Sequence, residues 1–203
     1  MKKIVLASAS PRRAEILKQV GVKFTVCASD AEEEILNLPP AEFVKATALQ
    51  KGKVVASGLQ DALVIAADTV VVIMGRIMGK PANDEEAFAM LSVLSGTFHD
   101  VYTGLCIIDM PTGKYYINYA RTKVFFKELT PFQIKTYIAS GEPFDKAGAY
   151  GIQGKGALLV EKIEGCYFNV VGLPVSLLYE AIKEFGIDLL SGVSTNEDRK
   201  LHD

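Results

Sequence analysis

Two periods of apolar spacing run along this chain. Short apolar runs at 3–7, 22–27, 63–74, 98–109, 114–127 and 157–163 read as strands. Between them, segments near 11–20, 41–58, 84–94, 131–139 and 174–185 carry the three-to-four-residue repeat of amphipathic helices. Strands alternating with helices predict an α/β fold. The stretch PTGK at 111–114 joins two strand runs through a short turn, so that pair is expected to be antiparallel and the sheet mixed, twisted and flanked by helices.

The first helix has the clearest boundaries. Ser10 stands as its N-cap, Pro11 at its first position, and Ile16, Leu17 and Val20 form one apolar face before Gly21 stops it. Strand, tight polar turn and helix start then follow one another, an arrangement whose free amides and dipole can hold an anion. Arg12 and Arg13 sit in that first turn, where the helix already carries about half a positive elementary charge. Either they are surface residues or a negative ligand is expected there.

The 203 residues are 49% hydrophobic, enough for one large domain or two lobes sharing a core. We expect a single domain over 1–190 and a disordered polar tail, SGVSTNEDRKLHD, over 191–203. Twenty-two basic and 24 acidic residues give a net charge of −2, so no global attraction to nucleic acid or to an anionic membrane is expected. Any polyanion site must be local. Cys27, Cys106 and Cys166 suggest neither a disulfide framework nor a zinc knuckle, and a reducing cytoplasm is the expected location. No apolar stretch approaches the roughly 20 residues of a membrane span.

Asp68 and Thr69 interrupt the apolar run LVIAADTVVVIM, 63–74. A buried unpaired carboxylate costs several kcal/mol, so Asp68 sits at a bulge opening on a cleft, meets a cation, binds a metal, or is a structural group held by backbone amides. Glu32, Glu33 and Glu34 follow the second strand and offer either a carboxylate to the same metal or a solvated face. With only His99 and His202 and no paired cysteines, zinc is disfavoured, whereas oxygen donors suit Mg²⁺ or Mn²⁺. Lys51 and Lys80 are candidate neutralisers of phosphate charge, and become interesting if strands 3–7 and 63–74 are neighbours.

The stretch GEPFDKAGAYGIQG, 141–154, has four glycines and no periodicity, and reads as a long loop over a pocket. Its spacing fits neither a P-loop nor a Rossmann fingerprint. Asp145, Lys146 and Gln153 are its recognition-type side chains, and the Gln amide offers a donor and an acceptor to a base edge. No nucleophile elbow, H-E-x-x-H pair or Cys/His constellation is present, which leaves metal-assisted phosphoryl chemistry as the best match to the residues available.

SASPRR at 8–13, ADTVV at 67–71, GKP at 79–81, LSG followed by His99, DKAGAYGIQG at 145–154 and NVVGLP at 169–174 occur in that order. In these motifs the chain resembles the Maf family of nucleoside triphosphate pyrophosphatases. The resemblance implies two lobes around a cleft, as in Maf and ITPase-like proteins, cleavage between the α and β phosphates with a divalent metal, and a homodimer. It implies Asp68 as proton acceptor for the attacking water and as a metal ligand with Glu33, and Arg12, Arg13, Lys51 and Lys80 around the phosphates. The resemblance also implies Ser8, Thr69, Asp145, Lys146 and Gln153 as further substrate-binding positions. Arg12, Thr69 and Gln153 resemble the branch acting on dTTP and UTP rather than the branch acting on 7-methyl-GTP. A non-enzymatic nucleotide-binding regulator of septum formation is the alternative. Two positions depart from the family pattern: Ala31-Glu32-Glu33 replaces Ile-Asp-Glu, and Gly52 replaces alanine after Lys51. With the arginines facing the triphosphate, the site is expected to be electrostatically strained without it.

Overall fold

A computed structural model describes residues 2–29 and 38–190. Glu33, its acidic neighbours and the tail 191–203 lie outside the described residues.

The chain begins as predicted, with β1 (Lys3–Leu6), α1 (Pro11–Gln19) and β2 (Phe24–Val26). There follow α2 (Pro40–Ala56), β3 (Ala62–Ile73), β4 (Arg76–Met78) and α3 (Asp84–Leu94). The second half adds β5 (Phe98–Met110), β6 (Tyr115–Phe126), α4 (Pro131–Ile138), β7 (Val160–Glu164), α5 (Tyr167–Val171) and α6 (Val175–Lys183). The strands form one mixed sheet in the order β2-β1-β3-β5-β6-β7, with β4 added to the edge of β3. β1 runs parallel to both neighbours, and β3, β5, β6 and β7 pair antiparallel. The turn after Met110 thus produces the expected antiparallel pair, and the strands containing Ile4 and Leu63 are indeed neighbours.

Strand alternation places the helices. Val64 and Ala66 face α2, packing with Ala48 and Val55, and Val70 and Val72 pack with Val44 of the same helix. On the opposite face, Leu63, Ile65 and Ala67 pack under α1, α5 and α6 through Leu17, Val171 and Leu178. Val71 and Ile73, farther along that face, pack instead with Leu91 of α3 and Ile138 of α4. Thr69 lies between these two apolar clusters, which form the two lobes.

The edge of β3 explains where the lobes part. Its first residues pair with β1 as far as Ile65, and its last three pair with β4 from Val71 onward. Residues 66–70 have no strand on that edge among the described residues, while their pairing to β5 continues without a break. The opening is a strand ending, not the bulge considered from sequence.

A close backbone approach brings α2 down onto this region. A Cβ on Gly104, the residue opposite Asp68 in β5, would stand 2.1 Å from the Val44 carbonyl oxygen. Gly52 also has a packing role: a Cβ there would meet Ile108 Cδ1 at 3.0 Å and Ala66 Cβ at 3.4 Å.

Candidate active site

The opening beside β3 is one end of a cleft of about 660 Å³ between the lobes. Ser8, Arg12, Arg13, Lys51, Asp68, Thr69, Lys80, Asp145, Lys146 and Gln153 all line it. Every sequence-predicted site residue among the described positions is therefore brought to one cavity. Glu33 lies outside the described residues.

Asp68 and Thr69 are adjacent on a strand and so project to opposite faces of the sheet. Asp68 is 7% exposed and meets a cation, the second of the sequence alternatives: Lys51 Nζ donates to its Oδ1 at 2.7 Å. Lys51 comes from the middle of α2, and the Gly104 approach is what lets a lysine stem span that gap. A carboxylate has about four lone-pair sites, so one bond to lysine leaves acceptor capacity toward the cleft.

Thr69 faces the other side, where Arg13 organises three segments. Its Nε donates to the Gly172 carbonyl at 2.7 Å, its Nη1 to Ser8 Oγ at 3.0 Å and its Nη2 to Thr69 Oγ1 at 3.1 Å. Arg12 donates instead to Asp145 Oδ2 at 2.8 Å, and Lys146 Nζ reaches Asp145 Oδ1 at 2.6 Å. Burial alone would raise the Asp145 carboxyl, but the hydrogen bonds and charges of Lys146 and Arg12 outweigh it and hold the group at about 2. The expected strain is thus relieved within the chain: protein oxygens meet both arginines. Ser10 occupies the N-cap position of α1 but makes no side-chain cap bond; its N–H donates to Ser8 Oγ at 3.2 Å.

The glycine-rich stretch does cross the cavity, as an ordered series of short 3₁₀ turns at Glu142–Asp145, Ala147–Ala149 and Gly154–Leu158. Glu142 holds it by accepting from the Lys155 and Gly156 amides, while Gly148 N–H donates to the Gly79 carbonyl at 2.9 Å. The latter bond links the stretch to the segment carrying Lys80, which stands exposed at the rim. Gln153 is also exposed at the rim.

Tyr150 was not foreseen. It is buried beside the cavity, with its hydroxyl 2.6 Å from His99 Nε2. Burial pushes the His99 imidazolium down to about 4, despite the opposing charge of Asp100. The LSG stretch before His99 and the DKAGAYGIQG stretch that contains Tyr150 carried the sequence signal for this pair.

Among the described residues no group of three or more His, Cys, Asp or Glu side chains stands ready to hold a metal ion. The same residues contain no helix long and apolar enough to cross a membrane. Cys27, Cys106 and Cys166 are all free thiols.

A mixed α/β protein whose interlobe cleft gathers lysines and arginines around two ion-paired aspartates, Asp68 and Asp145, presents the cationic donors that suit a polyanion. The family model described as Maf-like protein matches residues 3–185, and the chain belongs to that family. The dTTP/UTP pyrophosphatase of Moorella thermoacetica is 54% identical over 190 residues, covering 93% of this chain and 98% of the relative. That of Carboxydothermus hydrogenoformans is 51% identical over 184 residues, covering 91% and 99%. A solved structure of the Staphylococcus aureus Ham1 protein covers 98% of this chain and 97% of its own at 16% identity, with a TM-score of 0.47, too distant to inform the site.

Proposed function

We propose that this protein is a nucleoside triphosphate pyrophosphatase that hydrolyses dTTP and UTP to the monophosphate and pyrophosphate. The observation that carries the proposal is the Lys51–Asp68 pair inside a cleft rimmed by Arg12, Lys80 and Lys146. The relatives named dTTP/UTP pyrophosphatase, similar over nearly their whole length, support the substrate assignment.

In this reading Asp68 accepts the proton of the attacking water while Lys51 holds its carboxylate in place. Arg12, Lys80 and Lys146 neutralise the triphosphate, where bidentate and point-charge donors favour the charge that develops on the bridging oxygen. Ser8 and Arg13 complete the phosphate end, and Gln153 presents its amide to the pyrimidine edge. A hard divalent cation such as Mg²⁺ or Mn²⁺ fits this donor set, because such ions take one or two carboxylates and complete their shell with substrate phosphates and water. Asp68 would hold it, with Glu33 as second carboxylate, and it would supply Lewis-acid polarisation of the phosphates.

Incubation with dTTP, UTP, CTP and 7-methyl-GTP plus Mg²⁺ or Mn²⁺, with products resolved, tests the reading. Pyrophosphate and the monophosphate from dTTP and UTP are expected. Orthophosphate release would reject the bond assignment, preference for 7-methyl-GTP would reject the branch, and binding without turnover would leave a regulator.

A further inference from the structure

The proton positions around Arg13 can be deduced from the acceptors alone. Thr103 is fully buried in β5, and its Oγ1 lies 2.9 Å from the Asn169 carbonyl oxygen, which can only accept. The single Thr103 proton is therefore committed to Asn169. Thr69 Oγ1 stands 2.9 Å from Thr103 Oγ1, so in that bond Thr69 must be the donor. With its proton turned inward and one lone pair taken by Arg13 Nη2, the Thr69 hydroxyl has only acceptor capacity left for the cleft.

Ser8, on the other side of the same guanidinium, is polarised in the opposite sense. It accepts from Arg13 Nη1 and from the Ser10 amide, which fills both lone pairs and leaves its O–H as the remaining group. Phosphate oxygens accept and nucleosides carry donors. A donor hydroxyl at Ser8 and an acceptor hydroxyl at Thr69 thus give the cleft a direction, with phosphate toward Ser8 and nucleoside toward Thr69.

We propose that Thr103 is a positioning residue that fixes the Thr69 hydroxyl as an acceptor for an N–H or O–H donor of the bound nucleoside. This rests on the pyrophosphatase reading and assigns a role to a buried group that touches no substrate. The donor is the pyrimidine N3–H or the sugar 3′-hydroxyl.

The test is a double-mutant cycle of Thr103→Val and Thr69→Val, read as kcat and KM for UTP and as Kd for the non-hydrolysable α,β-imido-dUTP. Thr103→Val is expected to weaken binding about ten-fold with kcat within about two-fold, because the freed hydroxyl no longer presents a fixed lone pair. In the Thr69→Val background the same change should matter less than about two-fold. Thr103→Ser, which keeps the hydroxyl, should restore wild-type values. Equal losses in both backgrounds would mean Thr103 acts only through packing, and the proposal fails. Two analogues test the wild-type protein directly, whether or not the valine variants fold: 3-deaza-UTP lacks the N3 donor and 3′-deoxy-UTP lacks the 3′-hydroxyl donor. One of them should lose about ten-fold in kcat/KM, and its identity names the donor; two analogues handled like UTP overturn the proposal. Binding of α,β-imido-dUTP without cleavage of UTP would sink the pyrophosphatase reading alone, since the cycle and the analogues can also be read in binding.

Discussion

Lys51 Nζ lies 2.7 Å from Asp68 Oδ1, joining the middle of a helix to the middle of a strand 17 residues later in the chain. Both side chains are largely withdrawn from solvent, and both border the interlobe cleft. In the proposed reading, the pair places an acid where water and a phosphate chain meet.

Asp68→Asn keeps the shape and an acceptor for Lys51 while removing the base. We expect kcat/KM for dTTP to fall at least about 100-fold, the usual range for loss of general base catalysis, with an unchanged circular dichroism spectrum. Turnover near the wild-type rate would show that another group takes the proton.

Gly104→Ala tests the close approach of α2. The new methyl would stand 2.1 Å from a backbone oxygen that cannot rotate away, so the helix must move. We expect a loss of about 3 kcal/mol or more in urea unfolding, at the upper end of overpacking costs. Folded protein that survives should show weakened turnover, because Lys51 moves with the helix.

The Asp145 carboxyl is held at about 2 by Lys146 and Arg12 against the opposing effect of burial. A folded-state pKa below the ordinary 3.8 means the contact is present above pH 4 and is lost as pH falls through about 2. Carboxyl chemical shifts followed by NMR should give a midpoint near 2 for this residue. Arg12→Gln should move the midpoint upward.

His99 has the same sign from a different cause, burial instead of neighbouring positive charge. Its folded-state value near 4 lies below the ordinary 6.5, so the unfolded chain takes up a proton that the folded chain refuses. Stability from this group is full above pH 6.5, declines as pH falls to about 4, and is flat below; the drop is on the order of 3 kcal/mol. Chemical denaturation across that range should show a shallower decline in His99→Gln than in wild type.

The sequence was most legible where local chemistry decides the outcome. Ser10 and Pro11 marked the start of α1, and Asp68 announced itself as a carboxylate in an apolar run. Lys51 could be named as a cation but not joined to Asp68, because that contact depends on an approach permitted by Gly104, far along the chain. The role of Arg13 was hidden for the same reason, since one of its acceptors, Gly172, is 159 residues away. β4 went unread as a strand because its hairpin turns on Met74 and Gly75, both at positive φ, without the Asn-Gly signature of such turns. α5 is five residues long, too short to display a period.

The three-point grip of Arg13 also bears on when activity can arise during synthesis. A ribosome delivers Ser8 first, Thr69 later, and Gly172 only after every strand of the sheet has emerged. Nascent or prematurely terminated chains that stop before that glycine lack the last anchor, and competence to process a ligand is reserved for nearly finished polypeptides.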